Sequence, residues 1–380
     1  MTLLFPKETT RARGIERLAR EAAPLLEKSA AEYLGIEVRS VLNRCSSPRM
    51  PFAWTINPYR GCEFGCRYCY ARYTHEFMGL NRWEDFEEKI YVKRDAARIL
   101  ARELTPDRLK GQSIALGTAT DPYQPAERRY RVTRSLLEIL AMARDLCLSI
   151  TTKGDLVTRD TDLLRRIAGR GSLHVNLTVT TLDRRLARTL EFRAPRPDLR
   201  LQAVRRLREA GIAAGVTISP ILPDITDSRA NLDAVISAAK EHGATHVFHN
   251  VLFLKPSAQP PFFLFLERHF PHLVPRYRAR FARGAFLDRG YKDRISRLMR
   301  ALKAQYGFTS QADFDMPAPA HEAKGEQQQV LHIEPNPSGL PCVGAPPESR
   351  YFHGSLRARC PDTAGATDQP KTRRASCGTK

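Results

Sequence analysis

Asn57-Pro58-Tyr59-Arg60-Gly61-Cys62-Glu63-Phe64-Gly65-Cys66-Arg67-Tyr68-Cys69-Tyr70-Ala71-Arg72 is the stretch that decides how the chain is read. Three of the eight cysteines fall within it, spaced C-x3-C-x2-C; the others stand at 45, 147, 342, 360 and 377. A disulfide framework in a small secreted domain spreads its cysteines more evenly, so this tight group reads as metal or cluster ligation. The group follows a short strand pattern at 53–57, which puts it at a strand's C-terminal end, where barrel enzymes keep their active sites. Gly61 and Gly65 let the backbone fold closely around a bulky inorganic core. Iron–sulfur cubanes normally take four thiolates, and three leave one iron open. An open position marks a reactive site, by the logic that separates catalytic from structural zinc. Zinc would need a fourth ligand, for which His75 is the nearby candidate.

Outward from this loop the pattern alternates strand and helix. Strands are expected at 53–57, 113–117, 147–152, 173–179, 213–219 and 246–252. Helices are expected at 95–104, 127–146, 161–168, 198–210 and 228–242, the last two stopped by Gly211 and Gly243. Such alternation builds parallel βαβ units with right-handed crossovers. Six units suit a partial (β/α) barrel, with a doubly wound open sheet as the alternative. Residues 1–45 form an N-terminal extension with a helix expected over 13–29. The core spans 46–310 and closes in basic helices over 274–305, whose interleaved Tyr277, Phe281 and Tyr291 offer rings for stacking. Residues 311–380, rich in Pro, Gly, Gln, Ser and Ala, read as a mostly disordered tail.

The formal charge is +20, yet residues 311–380 carry eight basic and eight acidic side chains. The whole excess therefore lies on residues 1–310. Such a surface attracts polyanions, nucleic acid first among them; Arg-rich helix faces that merely keep the chain soluble are the bland alternative. Met1–Lys7 lacks a secretion signal, and no apolar run nears the roughly 20 residues of a membrane helix. A soluble cytoplasmic protein without membrane contact is expected.

C-x3-C-x-aromatic-C, with Tyr68 as the aromatic, resembles the motif of the radical S-adenosylmethionine (SAM) superfamily. The flanks N-P-Y-R-G-C and C-Y-A-R resemble the branch related to spore photoproduct lyase, over roughly residues 50–255. The resemblance implies an α/β fold, a partial (β/α)6 barrel of the radical SAM type. It implies a [4Fe-4S] cluster on Cys62, Cys66 and Cys69, with SAM chelating the open iron. One electron, from a donor such as flavodoxin or ferredoxin, then cleaves SAM, and the adenosyl radical abstracts a substrate hydrogen. It also implies cofactor contacts from Tyr68 and, at the end of the second strand, from Thr118, Thr120 and Asp121, although the usual Gly-Gly-Glu is absent. An Asp-Pro turn explains the same residues without a ligand. Lys153 resembles the lysine that pairs with the SAM carboxylate, and a surface lysine is its bland reading. Thr178 takes the place of a SAM-contacting serine, and strand propensity alone also explains it.

One departure stands out. The lyase has a hydrogen-donor cysteine near the second strand's end, whereas Leu116-Gly117-Thr118-Ala119 contains none, so thymine-dimer repair is not carried over. Cys147, at the other end of its strand, reads as core. His246 and His249 point to opposite faces of a strand and are no metal pair. Two function classes remain: a radical SAM enzyme on an unknown substrate, nucleic acid being one, and a non-enzymatic nucleic-acid-binding protein stapled by zinc or iron–sulfur.

Overall fold

The computed structural model describes residues 14–20, 23–28, 31–45, 50–105 and 112–308. The first 13 residues and the tail from 311 lie outside the described residues. Along the described chain run β1 (Ala23–Lys28), β2 (Ala31–Ile36), β3 (Leu42–Arg44), β4 (Trp54–Ile56), β5 (Tyr59–Arg60), β6 (Lys89–Lys93), β7 (Ser113–Leu116), β8 (Cys147–Thr152), β9 (Ser172–Thr178), β10 (Ala214–Ile221) and β11 (Val247–Val251).

The six expected strands are β4 and β7 to β11, and they pair in parallel in chain order. Antiparallel β3 covers the free edge of β4, giving the order β11-β10-β9-β8-β7-β4-β3. This is the partial barrel rather than a doubly wound sheet, because the strand order never reverses. Its two faces differ. Ile150 lies level with Val175, and Leu177 with Val216 and Val247, an apolar row buried beneath the helices. The alternate positions read Ser149–His174, Thr151–Asn176 and Thr178–Thr217, with Thr151 and His174 exposed. Parallel strands covered on both faces read as continuous apolar runs. A polar second face therefore marks a barrel interior left accessible.

Helices fall close to their expected places, at Ala96–Glu103, Thr161–Ala168, Pro197–Glu209 and Arg229–Glu241. Ser228 caps the last, its hydroxyl accepting from Asn231 N–H at 3.2 Å. Two expectations are corrected. The helix at 13–29 stops at Arg20, and Ala23–Lys28 is a strand antiparallel to β2; Pro24 has no N–H to continue a helix. The helix at 127–146 is two, Ala126–Tyr130 and Val132–Leu140, broken at Arg131 with φ 51°. The buried Glu127 carboxylate makes the break worthwhile. It accepts the N–H groups of Thr133 at 2.8 Å and Arg134 at 3.1 Å, capping the second helix.

The basic C-terminal segment forms helices Val274–Phe281 and Arg289–Gln305. Tyr277, Phe281 and Tyr291 are all buried, and Tyr277 donates to Pro223 O at 2.6 Å. These rings fasten the helices to the barrel and do not face bases, which corrects the stacking expectation. Arg297 and Arg300 stay exposed.

A second sheet, β1-β2-β6-β5, had no counterpart in the sequence reading. It grips the strand that leads into the cysteine loop, with Tyr59 level with Val92 and Arg60 with Tyr91. His75 is buried against it, its ring edge-on to Phe86 at 5.1 Å and Tyr91 at 5.9 Å, with Nε2 3.1 Å from Lys89 O. Burial holds its pKa down at about 4, so the ring is neutral in the fold. Unfolded, it titrates near 6.5. Stability from the neutral ring is thus complete above about pH 6.5 and is lost as pH falls toward 4, on the order of 3 kcal/mol in all. Urea unfolding at about pH 7 and about pH 5 is expected to show a smaller loss in His75→Gln than in the parent chain.

Candidate functional site

The cysteine loop is held by its backbone. Gly61 has φ +82°, and a Cβ there would stand 2.7 Å from Lys89 O; at Gly65, φ +62°, it would stand 2.2 Å from the Phe192 ring. Cys62 N–H donates to Phe86 O at 2.9 Å and Cys69 N–H to Cys66 O at 3.2 Å. Cys66 forms a β-bridge with Glu191, and Arg67 N–H reaches Leu190 O at 2.9 Å. The fully buried Arg72 donates to Cys66 O at 3.0 Å and Trp83 O at 2.8 Å, and pairs with Glu87. The three sulfurs are left over. All are free thiols, two of them buried and Cys69 partly so. Burial pushes all three above the ordinary thiol range, Cys66 to about 12; Cys66 and Cys69 both act electrostatically on Cys62, and Cys69 on Cys66.

Among the described residues no three His, Cys, Asp or Glu side chains converge as the shell of a single metal ion. His75, the fourth ligand that zinc would need, is committed to Lys89 O and the Phe86 and Tyr91 rings. Three soft sulfur donors without a fourth are what a cubane with one open iron requires.

The six expected SAM contacts do not all have free side chains. Lys153 follows β8 and is half-buried, with Nζ 5.6 Å from the Tyr68 ring centroid. Burial alone would lower its pKa, but Cys66 and Glu191 outweigh that and hold the ammonium above its ordinary value. Asp121 accepts from Thr152 Oγ1 at 2.5 Å, Lys153 N–H at 2.7 Å and Tyr123 N–H at 2.9 Å, so it works as a clamp on the Lys153 turn. Thr120 spends its hydroxyl on Gly61 O at 2.6 Å. Thr118 Oγ1 meets Asn57 Nδ2 at 3.1 Å, and its carbonyl accepts from Tyr70 OH. Thr178 is buried at the end of β9, its carbonyl bound by Arg200 at 2.9 Å. Tyr68 donates to Glu191.

Sequence reasoning missed Glu191 and Arg200, both fully buried. Arg200 Nη1 lies 2.5 Å from Glu191 Oε2, an ion pair out of hydrogen-bond alignment. Thr180 Oγ1 approaches the other carboxylate oxygen at 3.5 Å. The available signal was Glu191-Phe192-Arg193-Ala194-Pro195, a charged stretch that breaks the apolar pattern between two helices.

A family model described as the Radical SAM superfamily matches residues 56–235. The chain belongs to the radical SAM superfamily. It is therefore an enzyme of radical chemistry, in a family that implies SAM and a four-iron cluster. An uncharacterised protein of Mycobacterium tuberculosis is 37% identical over 269 residues, 70% of this chain and 79% of its own length. One of Methanocaldococcus jannaschii is 29% identical over 247 residues, 64% of this chain and 85% of that one. Among solved structures, spore photoproduct lyase complexed with dinucleoside spore photoproduct superposes with a TM-score of 0.55 at 16% identity, covering 72% of this chain and 79% of that one. At that identity the likeness is one of fold. The radical SAM loop makes a sharp demand of Gly65, where both φ and the Phe192 ring forbid a side chain. Gly65→Ala is expected to fold but to lose most of its iron after anaerobic reconstitution, read as iron per chain by metal analysis.

Proposed function

We propose that Cys62, Cys66 and Cys69 each hold one iron of a [4Fe-4S] cluster, that SAM occupies the fourth, and that the enzyme abstracts hydrogen from a nucleic-acid substrate. The observation that carries this reading is the set of three free thiols in a loop whose backbone is satisfied elsewhere, with the Lys153 ammonium held beside it. When bound, the cluster and SAM together supply a one-electron cleavage that ends in hydrogen-atom abstraction.

The chain's own residues do the rest. A carboxylate leaving water needs a cation or several donors, and the Lys153 ammonium meets that need for the methionine end of SAM. Asp121 fixes the Lys153 backbone and so acts through it. Tyr68, anchored on Glu191, presents its ring to the Lys153 ammonium. Thr118 and Thr178 offer polar atoms at the ends of β7 and β9, and Thr120 holds the loop that carries Cys62. Tyr70 packs on Phe253 at 4.9 Å between ring centroids and screens one side from water. The electron comes from an external carrier of the flavodoxin or ferredoxin class. The charge excess on residues 1–310 supports a polyanionic substrate.

Each of Cys62→Ala, Cys66→Ala and Cys69→Ala is expected to abolish reductive SAM cleavage and the four-iron absorption spectrum after anaerobic reconstitution; any one variant that keeps both would remove that cysteine from the site. Lys153→Ala is expected to keep a complete cluster spectrum while SAM binding weakens by about 2–4 kcal/mol, the cost of leaving a desolvated charge unpaired. Equilibrium binding of SAM to the reconstituted variant is the check, and unchanged affinity would exclude Lys153.

A further inference from the structure

Where the chain leaving β11 meets the segment after Cys69, a seam of unmatched positive charge runs between two groups of rings. Arg60, on β5, has its Nε shielded from water with no hydrogen-bond partner, and no ion pair reaches its guanidinium among the described residues. Its electrostatic neighbours include Tyr73 and Lys93. Lys93 is buried and donates to Asn57 O at 2.6 Å. Lys255 sets its Nζ 3.6 Å from the centroid of the Tyr73 ring. Of the nearby acids, Glu103 is occupied by Ser40 and the amides of Val41 and Leu42, and Glu76 is exposed. Cations withdrawn from water without a carboxylate against them are costly, and a bound anion offsets that cost.

The rings stand on either side. Phe77 and Phe286, each 48% exposed, are two of the four large exposed hydrophobic side chains among the described residues. Phe77 lies edge-on to Tyr73 at 5.8 Å. Phe286 stacks on Phe253 at 5.9 Å and 24°, with Lys292 Nζ 5.3 Å from its centroid. Leu254 N–H donates to Ala285 O at 2.7 Å and fastens this second group beside Lys255. Accessible rings interleaved with cations are what single-stranded nucleic acid requires, because only unpaired bases offer their faces. A single mononucleotide has one base for two separated rings, whereas a strand has several.

We propose that this seam binds a single strand of nucleic acid, with a backbone phosphate on Arg60 and Lys255 and bases against Phe77 and Phe286. The proposal rests on the nucleic-acid reading above and gives that substrate a place beside Tyr70, the residue after Cys69. The test is fluorescence anisotropy of a labelled oligothymidylate with the reconstituted enzyme, without reductant. The double variant Phe77→Ala/Phe286→Ala is expected to bind on the order of tenfold more weakly or worse. Lys255→Gln is expected to flatten the slope of log affinity against log salt by about 0.7, one phosphate's share. Duplex of the same sequence should bind more weakly, and thymidylate monomer should not compete. Variants that bind like the parent, duplex bound as tightly as single strand, or full competition by the monomer would each overturn the proposal. Reductive SAM cleavage without oligonucleotide, measured in parallel, is expected to persist in both variants; its loss there would assign these residues to the catalytic core instead. Its absence from the parent enzyme would overturn the proposed function while leaving the binding result standing.

Discussion

One buried carboxylate ties the site together. Glu191 bridges the backbone of Cys66, accepts from Tyr68 in the same loop, and pairs with Arg200, which in turn holds the carbonyl that ends β9. Cysteine loop, barrel strand and surface helix are thereby fixed to one another through a single residue, by its backbone toward Cys66 and by its carboxylate toward Tyr68 and Arg200. Breaking a buried pair by removing one partner typically costs 3–5 kcal/mol, since the survivor keeps its desolvation penalty.

The same carboxylate sets the charge balance. Lys153, Arg200 and Glu191 act on one another and on Cys66 across the site. Burial would raise the Glu191 pKa, but Arg200 and Lys153 reverse that and keep it ionised. With Arg200 matched to Glu191, the Lys153 ammonium is the cation left for an incoming carboxylate. Asp121 also favours the charged Lys153, less than Cys66 and Glu191 do, while its oxygens accept from a hydroxyl and two backbone amides. A positive end beside three sulfurs is what an anionic ligand at the open iron would meet.

Much of this was legible in the sequence because the signals are local. The six barrel strands and four helices announce themselves by period and by Gly211, Gly243 and Ser228, and the C-x3-C-x2-C loop by spacing alone. The second sheet was not legible, because β2 and β6 lie far apart in the chain and pair across the cysteine loop. Lys89-Ile90-Tyr91-Val92-Lys93 has strand chemistry, but only its partners decide its fate. The backbone partners of Asp121 and Thr120 were hidden for a related reason. An oxygen-bearing side chain at a strand end looks the same in sequence whether it meets a ligand or a neighbour's backbone. Glu191 and Arg200 escaped because eight residues of unremarkable spacing lie between them, and only burial reveals that they pair.

The aromatic residues carry the opposite lesson about charge. Tyr277, Phe281 and Tyr291 lie among arginines in sequence, yet amphipathic helices bury their rings and leave the basic stems outside. Phe286 lies in the same basic stretch, between Arg283 and Arg289, yet it remains exposed, as does Phe77 outside that stretch. A partial barrel cannot close its last strand onto its first through a ladder of hydrogen bonds. It closes here by packing instead, with Phe253 against Tyr70 and Lys255 against Tyr73. A seam closed by rings and a lysine has no directional bonds to satisfy. It can admit a ligand that offers rings and negative charge in exchange, and it does so next to the loop where the chemistry is housed.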